Sequence, residues 1–236
     1  MSKYERTARL YPAILSSIVP AVIVLAIIWE LQIPTVKQFL GWSYRLVTLS
    51  IGTALIASAI GFWGKELCRN TSKLLFQFPF FKEDETEMPT TKLLISEETS
   101  FGKYQLAKLF AKINNDFNVD LIDLKRQYSP NNSYEYRKEV VAVVALIRQK
   151  TKGDPILLNY NIRYGFGRNL LGGMTIGIVF TIILLLGTNF MNMGVTVRQL
   201  LFALILQIAL FLITLLFFKQ TAREYARQLF YSYQNL

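Results

Sequence analysis

The chain contains no histidine, one cysteine, and no acidic or basic residue inside any of its four longest apolar runs. Without histidine it lacks the usual general base, the usual activator of a Ser or Cys nucleophile and the commonest metal ligand. The lone Cys68 cannot form an internal disulfide, which suits a reducing compartment. An acidic stretch such as Glu83, Asp84, Glu85 and Glu87 reads first as a solvated loop. The sequence therefore points away from an enzyme, and assigns no catalytic residue, no metal ligand and no cofactor. Charge-free spans also argue against ion-coupled transport, which depends on intramembrane Asp, Glu, Lys or Arg.

What is present decides the class. Of 236 residues, 52% are hydrophobic, and they gather into runs at 12–29, 46–64, 170–190 and 200–218. A spanning helix needs about 20 mostly apolar residues to cross roughly 30 Å of hydrocarbon. A globular core helix rarely stays uncharged on every face for so long. The expectation is an α-helical integral membrane protein with four transmembrane helices in two hairpins and a mainly helical cytoplasmic domain between them. The first run follows Lys3, Arg6 and Arg9, as a secretory leader would. It is longer than a typical leader core and no small-residue cleavage pattern follows, so it reads as a span.

Lys and Arg set the orientation. The segment 65–169 holds seventeen of them against thirteen Asp and Glu, and both tails are basic, whereas the loop after the third run carries only Arg198. Both termini and the middle segment are thus expected on the cytoplasmic side of a plasma membrane. The expected parts are an N-tail (1–11), hairpin 1 (12–64), a cytoplasmic domain (65–169), hairpin 2 (170–218) and an amphipathic C-tail (219–236). The net charge of +10 flanks these spans, where it meets anionic lipid, and is weak evidence for nucleic acid.

Within the middle segment, Leu106, Leu109, Phe110 and Ile113 share one face of a helix over Phe101 to Ile113. A second helix, Tyr136 to Lys150, aligns Val140, Val143, Val144 and Ile147. In the tail, Ala222, Tyr225, Ala226, Leu229, Phe230 and Tyr233 form a stripe that suits either the membrane surface or the domain.

Three patterns carry functional content. The second run is the least oily: Ser50, Thr53 and Ser58 supply hydroxyls, which either pack closely against another helix or line a pore. Gly173 and Gly177 give the third run a GxxxG face for helix contact. The stretch from Asn159 to Gly173 interleaves Arg163 and Arg168 with Tyr160, Tyr164 and Phe166. Guanidinium groups neutralise phosphates and aromatic rings stack on bases. The same residues also suit a plain juxtamembrane elbow at the headgroups.

The segments Arg6-Thr7-Ala8-Arg9-Leu10-Tyr11-Pro12-Ala13, Pro89-Thr90-Thr91-Lys92-Leu93-Leu94 and Asn161-Ile162-Arg163-Tyr164-Gly165-Phe166-Gly167-Arg168-Asn169-Leu170 resemble a bacterial family of four-span membrane effectors of antiphage defence. The chain looks similar to the membrane effector of the Hailong system. Gly167 departs from the pattern, standing where an Arg is expected before Arg168. The resemblance implies a homo-oligomeric channel in the bacterial inner membrane, gated by a nucleotide or oligonucleotide from a partner nucleotidyltransferase. It would depolarise the membrane and arrest growth. Lys92, Arg163, Tyr164 and Arg168 would then contact the ligand, and Ser50, Thr53 and Ser58 the ion path.

Two other readings belong to different classes. One is a non-conducting membrane scaffold or sensor that recruits a protein partner. The other is a lipid-modifying enzyme using carboxylates alone, with Asp120 and Asp123 as its candidates.

Overall fold

A computed structural model of the chain describes residues 2–30, 50–56, 60–95, 101–128, 133–187 and 196–236. Among these residues the regular structure is helical, with no strand. A π-helical turn, Arg6–Leu10, leads into α1 (Tyr11–Glu30). Then come α2 (Lys65–Ser72), α3 (Pro89–Ile95), α4 (Lys103–Phe117), α5 (Leu121–Gln127) and α6 (Ser133–Lys150). Two long helices end the chain, α7 (Pro155–Gly187) and α8 (Val197–Gln234).

Local chemistry explains several boundaries. Helix α7 starts at Asp154-Pro155, where the Asp154 carboxylate accepts from the N–H groups of Ile156 at 2.7 Å and Leu157 at 3.1 Å. Pro155 loses nothing there, because a first-turn N–H has no intrahelical acceptor. Asp120 caps α5 in the same way, accepting from Ile122 and Asp123. Helix α4 ends at Asn118, whose left-handed backbone (φ 55°, ψ 39°) closes the last turn.

Three helical stretches are long and apolar enough to cross a membrane: Lys3–Ile27, Pro155–Gly187 and Val197–Gln234. Their surfaces are inverted relative to a water-soluble protein. Leu186 and Leu216 are 67% and 73% exposed, while Thr181 and Gln207 are 0% and 5% exposed. Lipid rewards that arrangement, since hydrocarbon cannot satisfy a polar group. The chain is therefore an α-helical membrane-embedded protein. Of the second expected span, residues 46–49 and 57–59 lie outside the described residues; 50–56 are helical and Ile60–Gly64 forms a π-helical turn. The expected hairpin tips also lie outside them.

The chain divides into two compact units: Met1–Lys73 with Gly165–Phe217, and Leu74–Tyr164 with Phe218–Leu236. Helices α7 and α8 each contribute residues to both. In the first unit α7 lies close to α1 and α2. A Cβ added to Gly172 would meet the Cys68 carbonyl oxygen at 2.1 Å, and one on Gly173 would meet Ser16 Oγ at 2.1 Å. Gly177 faces Pro20 and Gln207. The GxxxG pair thus marks a real helix contact. Nearby, Thr181 Oγ1 donates to Gln207 Oε1 at 3.0 Å, pairing the amide of α8 with a hydroxyl of α7.

The core of the second unit joins Leu109 and Ile113 of α4, Val140, Val144 and Ile147 of α6, and Leu229, Phe230 and Tyr233 of α8. Each full burial of such a side chain contributes about 1.5–3 kcal/mol. The apolar stripe of the tail is thus core packing within this unit. Tyr233 anchors it: its hydroxyl donates to Asp116 Oδ2 at 2.8 Å, and its ring stacks on Phe117. Burial and that hydrogen bond raise the Tyr233 phenol above its ordinary range.

Candidate ligand site

The second unit contains a cavity of about 820 Å³ whose polar lining is strongly one-signed. Lys92 of α3, Arg137 of α6, and Lys219, Arg223 and Arg227 of α8 line it. Among the described lining residues Glu87 is the only carboxylate. Phe80, Phe81, Pro89, Leu93 and Ile95 complete the wall with apolar surface.

Helix geometry produces the cationic row. Residues 219, 223 and 227 repeat every four positions and fall on one side of α8. Ala222, Ala226, Leu229 and Phe230 of the same helix are buried beside this row. Lys219 is placed over the Phe80 ring, 4.6 Å from its centre. The aromatic wall is fixed by Phe81, which contacts Phe218 at 5.6 Å between ring centres.

Glu87 holds the other two cations. Its Oε2 lies 2.8 Å from Lys92 Nζ, and its Oε1 accepts from Arg137 Nη1. The hydrogen bond from Lys92 is the main cause that holds the Glu87 carboxyl below its ordinary range. The loop bearing Glu87 is tied to α6 at two further points: Tyr134 donates to Asp84, and Arg148 Nη1 donates to Glu85 Oε2 at 2.6 Å. Lys82 and Glu85 in this loop both have φ of 62°, a backbone region that disfavours side chains other than Gly, Asn and Asp.

Five cations against one carboxylate, with aromatic and aliphatic surface beside them, suit an anion that also carries an apolar or aromatic part. A nucleotide phosphate with its base has that chemistry.

Of the residues singled out from sequence, Lys92 lines the cavity and the others have different surroundings. Arg163 is exposed on α7, its guanidinium over the Tyr160 ring at 5.6 Å. Tyr164 is buried, stacked on Phe218 at 5.7 Å and on Tyr225 at 6.1 Å. Arg168 is 9% exposed in the first unit, and its Nε donates to Asn169 Oδ1 at 3.4 Å. Five positions along one helix turn a side chain through about 140°, so Arg163 and Arg168 diverge. Ser50 and Thr53 are exposed, with Thr53 Oγ1 donating to the Ser50 carbonyl at 3.0 Å. Ser58 lies outside the described residues. Asp120 caps α5, and Asp123 pairs with Arg126 at 3.2 Å, so both carboxylates have structural partners.

Arg137, Lys219, Arg223 and Arg227 complete the cavity and escaped the sequence reading. The four-residue spacing on α8 was the available signal; Arg137 had none. Comparison with protein-family profiles, with curated proteins and with solved structures finds no match to this chain.

Proposed function

We propose that this chain is an oligomeric channel of the bacterial inner membrane, with both termini cytoplasmic. It acts as an antiphage effector gated by a nucleotide or oligonucleotide that binds the cationic cavity through its phosphates. The observation that carries the reading is the row Lys219, Arg223 and Arg227 facing Lys92 and Arg137 across one cavity. The row belongs to α8, the helix whose earlier residues form an apolar stretch long enough to span. A ligand that draws on these cations would thus act on a helix that continues into the membrane. The resemblance of the Arg6–Ala13, Pro89–Leu94 and Asn161–Leu170 segments to defence effectors supports the biological setting, and the Pro89–Leu94 segment supplies Lys92 to the cavity.

The ligand would be gripped by charge. Each phosphate neutralised on a single strand steepens the salt dependence of log K by about 0.7. Binding of a fluorescent mixed-sequence DNA oligonucleotide, and separately of ATP, to the detergent-purified protein tests this. The expected result is saturable binding of one of these probes that weakens with salt, and a shallower slope for Lys219→Gln with Arg223→Gln. Binding unchanged in the double variant would overturn the site.

A further inference from the structure

We propose that the first unit holds the phosphate of an anionic phospholipid headgroup among Arg9, Arg69, Lys73 and Arg168. These residues come from three segments: the turn Arg6–Leu10, α2 with the residue that follows it, and α7. Arg9 Nη1 and Arg69 Nη1 each donate at 3.3 Å to a different oxygen of Glu66. Lys65 pairs with Glu5 at 3.2 Å. Among the described residues, Arg9, Arg69 and Lys65 thus share the carboxylates of Glu66 and Glu5, and the charges of Lys73 and Arg168 lie close by.

The surplus is in donors as well as in charge. The Nε atoms of Arg9 and Arg69 are shielded from solvent and have no acceptor among the described residues. A buried donor left unmade is costly, and an anion arriving between these side chains supplies the missing acceptors. Burial, and then the charges of Arg69, Arg168 and Arg9, push the Lys73 ammonium below its ordinary range. Burial is the first cause, and the neighbouring like charges add to it despite the opposing charge of Glu66. A phosphate oxygen is the acceptor such a cluster fits, and Arg takes it bidentately.

Sequence position selects the source. Arg9 lies just before the apolar run that starts at Pro12, Arg168 just before the run that starts at Leu170, and Arg69 shortly after the run that ends at Gly64. Positions flanking three apolar runs thus bring their cations to the depth where headgroup phosphates lie. This inference is independent of the cavity in the second unit.

The test is native mass spectrometry of the full chain released from nanodiscs of phosphatidylcholine, with and without phosphatidylglycerol. Wild type, Lys73→Gln and Arg69→Gln are compared, and millimolar inorganic phosphate is added in a parallel arm. Lys73→Gln leaves the Arg9–Glu66 and Arg69–Glu66 pairs in place, so it reports on the site in a folded protein. Wild type is expected to retain phosphatidylglycerol in preference to phosphatidylcholine, with retention reduced about five-fold for each cation removed. Inorganic phosphate is expected not to displace it. Equal retention in wild type and both variants would overturn the site. Displacement by inorganic phosphate would overturn the lipid source and assign the cluster to a soluble phosphate.

Discussion

The side-chain amide of Asn169 donates to the carbonyl oxygen of Ala8 at 2.5 Å, across 161 positions of sequence. Pro12 stands four residues after Ala8 and has no N–H to give that carbonyl. Asn169 is fully buried, and Ser72 Oγ donates to its Oδ1 at 3.4 Å. One amide therefore joins the N-terminal segment, α2 and α7 within the first unit. It also joins two of the three segments on which the family resemblance rests.

Asn169→Leu leaves the Ala8 carbonyl and the Ser72 hydroxyl buried without this partner. The expected loss is about 1–3 kcal/mol of stability, read as a lower melting temperature in detergent. Pro12→Ala restores a backbone N–H at that position. In the double variant the penalty of Asn169→Leu is expected to shrink, and simple additivity would contradict the explanation.

The contact of α7 with α2 admits no side chain at Gly172. Gly172→Ala puts a methyl 2.1 Å from the Cys68 carbonyl oxygen, which is backbone and cannot rotate away. Overpacking of this kind costs about 1–3 kcal/mol or more. Gly61→Ala meets nothing within 4 Å and serves as the control. Equal melting temperatures for the two variants would show that the close approach does not exist.

The second unit is expected to lose stability in acid. Asp116 is held below the ordinary Asp range first by its hydrogen bond from Lys150 and then by that from Tyr233. Asp84, held by Tyr134, and Glu87, held by Lys92, are shifted the same way. A carboxyl lowered in the folded state contributes stability above its unfolded value, near pH 4, and that contribution fades as pH falls through the folded value. Melting temperatures measured from pH 6 to pH 3 should therefore fall, and Asp116→Asn should flatten part of that fall. A steeper fall in the variant would reverse the sign and reject the account.

Glu87 occupies Lys92 and Arg137 as an incoming anion would. Removing its charge while keeping its shape, with Glu87→Gln, is expected to tighten binding of the oligonucleotide or ATP probe several-fold. Fluorescence titration at fixed salt measures it. Weaker binding would mean that Glu87 supports the cavity and does not compete for it.

The helical elements were legible because burial in the second unit follows the helical period. Val140, Val143, Val144 and Ile147 read as one face from sequence and are buried together. The pair Gly173 and Gly177 read as a contact face and is one. The cavity was less legible. Lys219, Arg223 and Arg227 look like charges that flank a span, and spacing alone does not reveal what faces them. Arg137 enters the cavity only because α6 packs beside α3, a tertiary fact. The row Arg163, Tyr164 and Arg168 looks continuous in sequence, yet a helix sends its members in different directions, and Tyr164 is taken up by ring stacking.

The central claim is that the cationic cavity controls conductance through a phosphorylated ligand. Potassium flux from liposomes containing the purified protein measures it directly, with and without the probe that binds. The account predicts that this probe changes the flux of wild type at low salt. It also predicts that Lys219→Gln with Arg223→Gln abolishes that response while protein insertion stays the same. A flux that responds identically in wild type and the double variant, or a wild type without flux under any ligand condition, would contradict it.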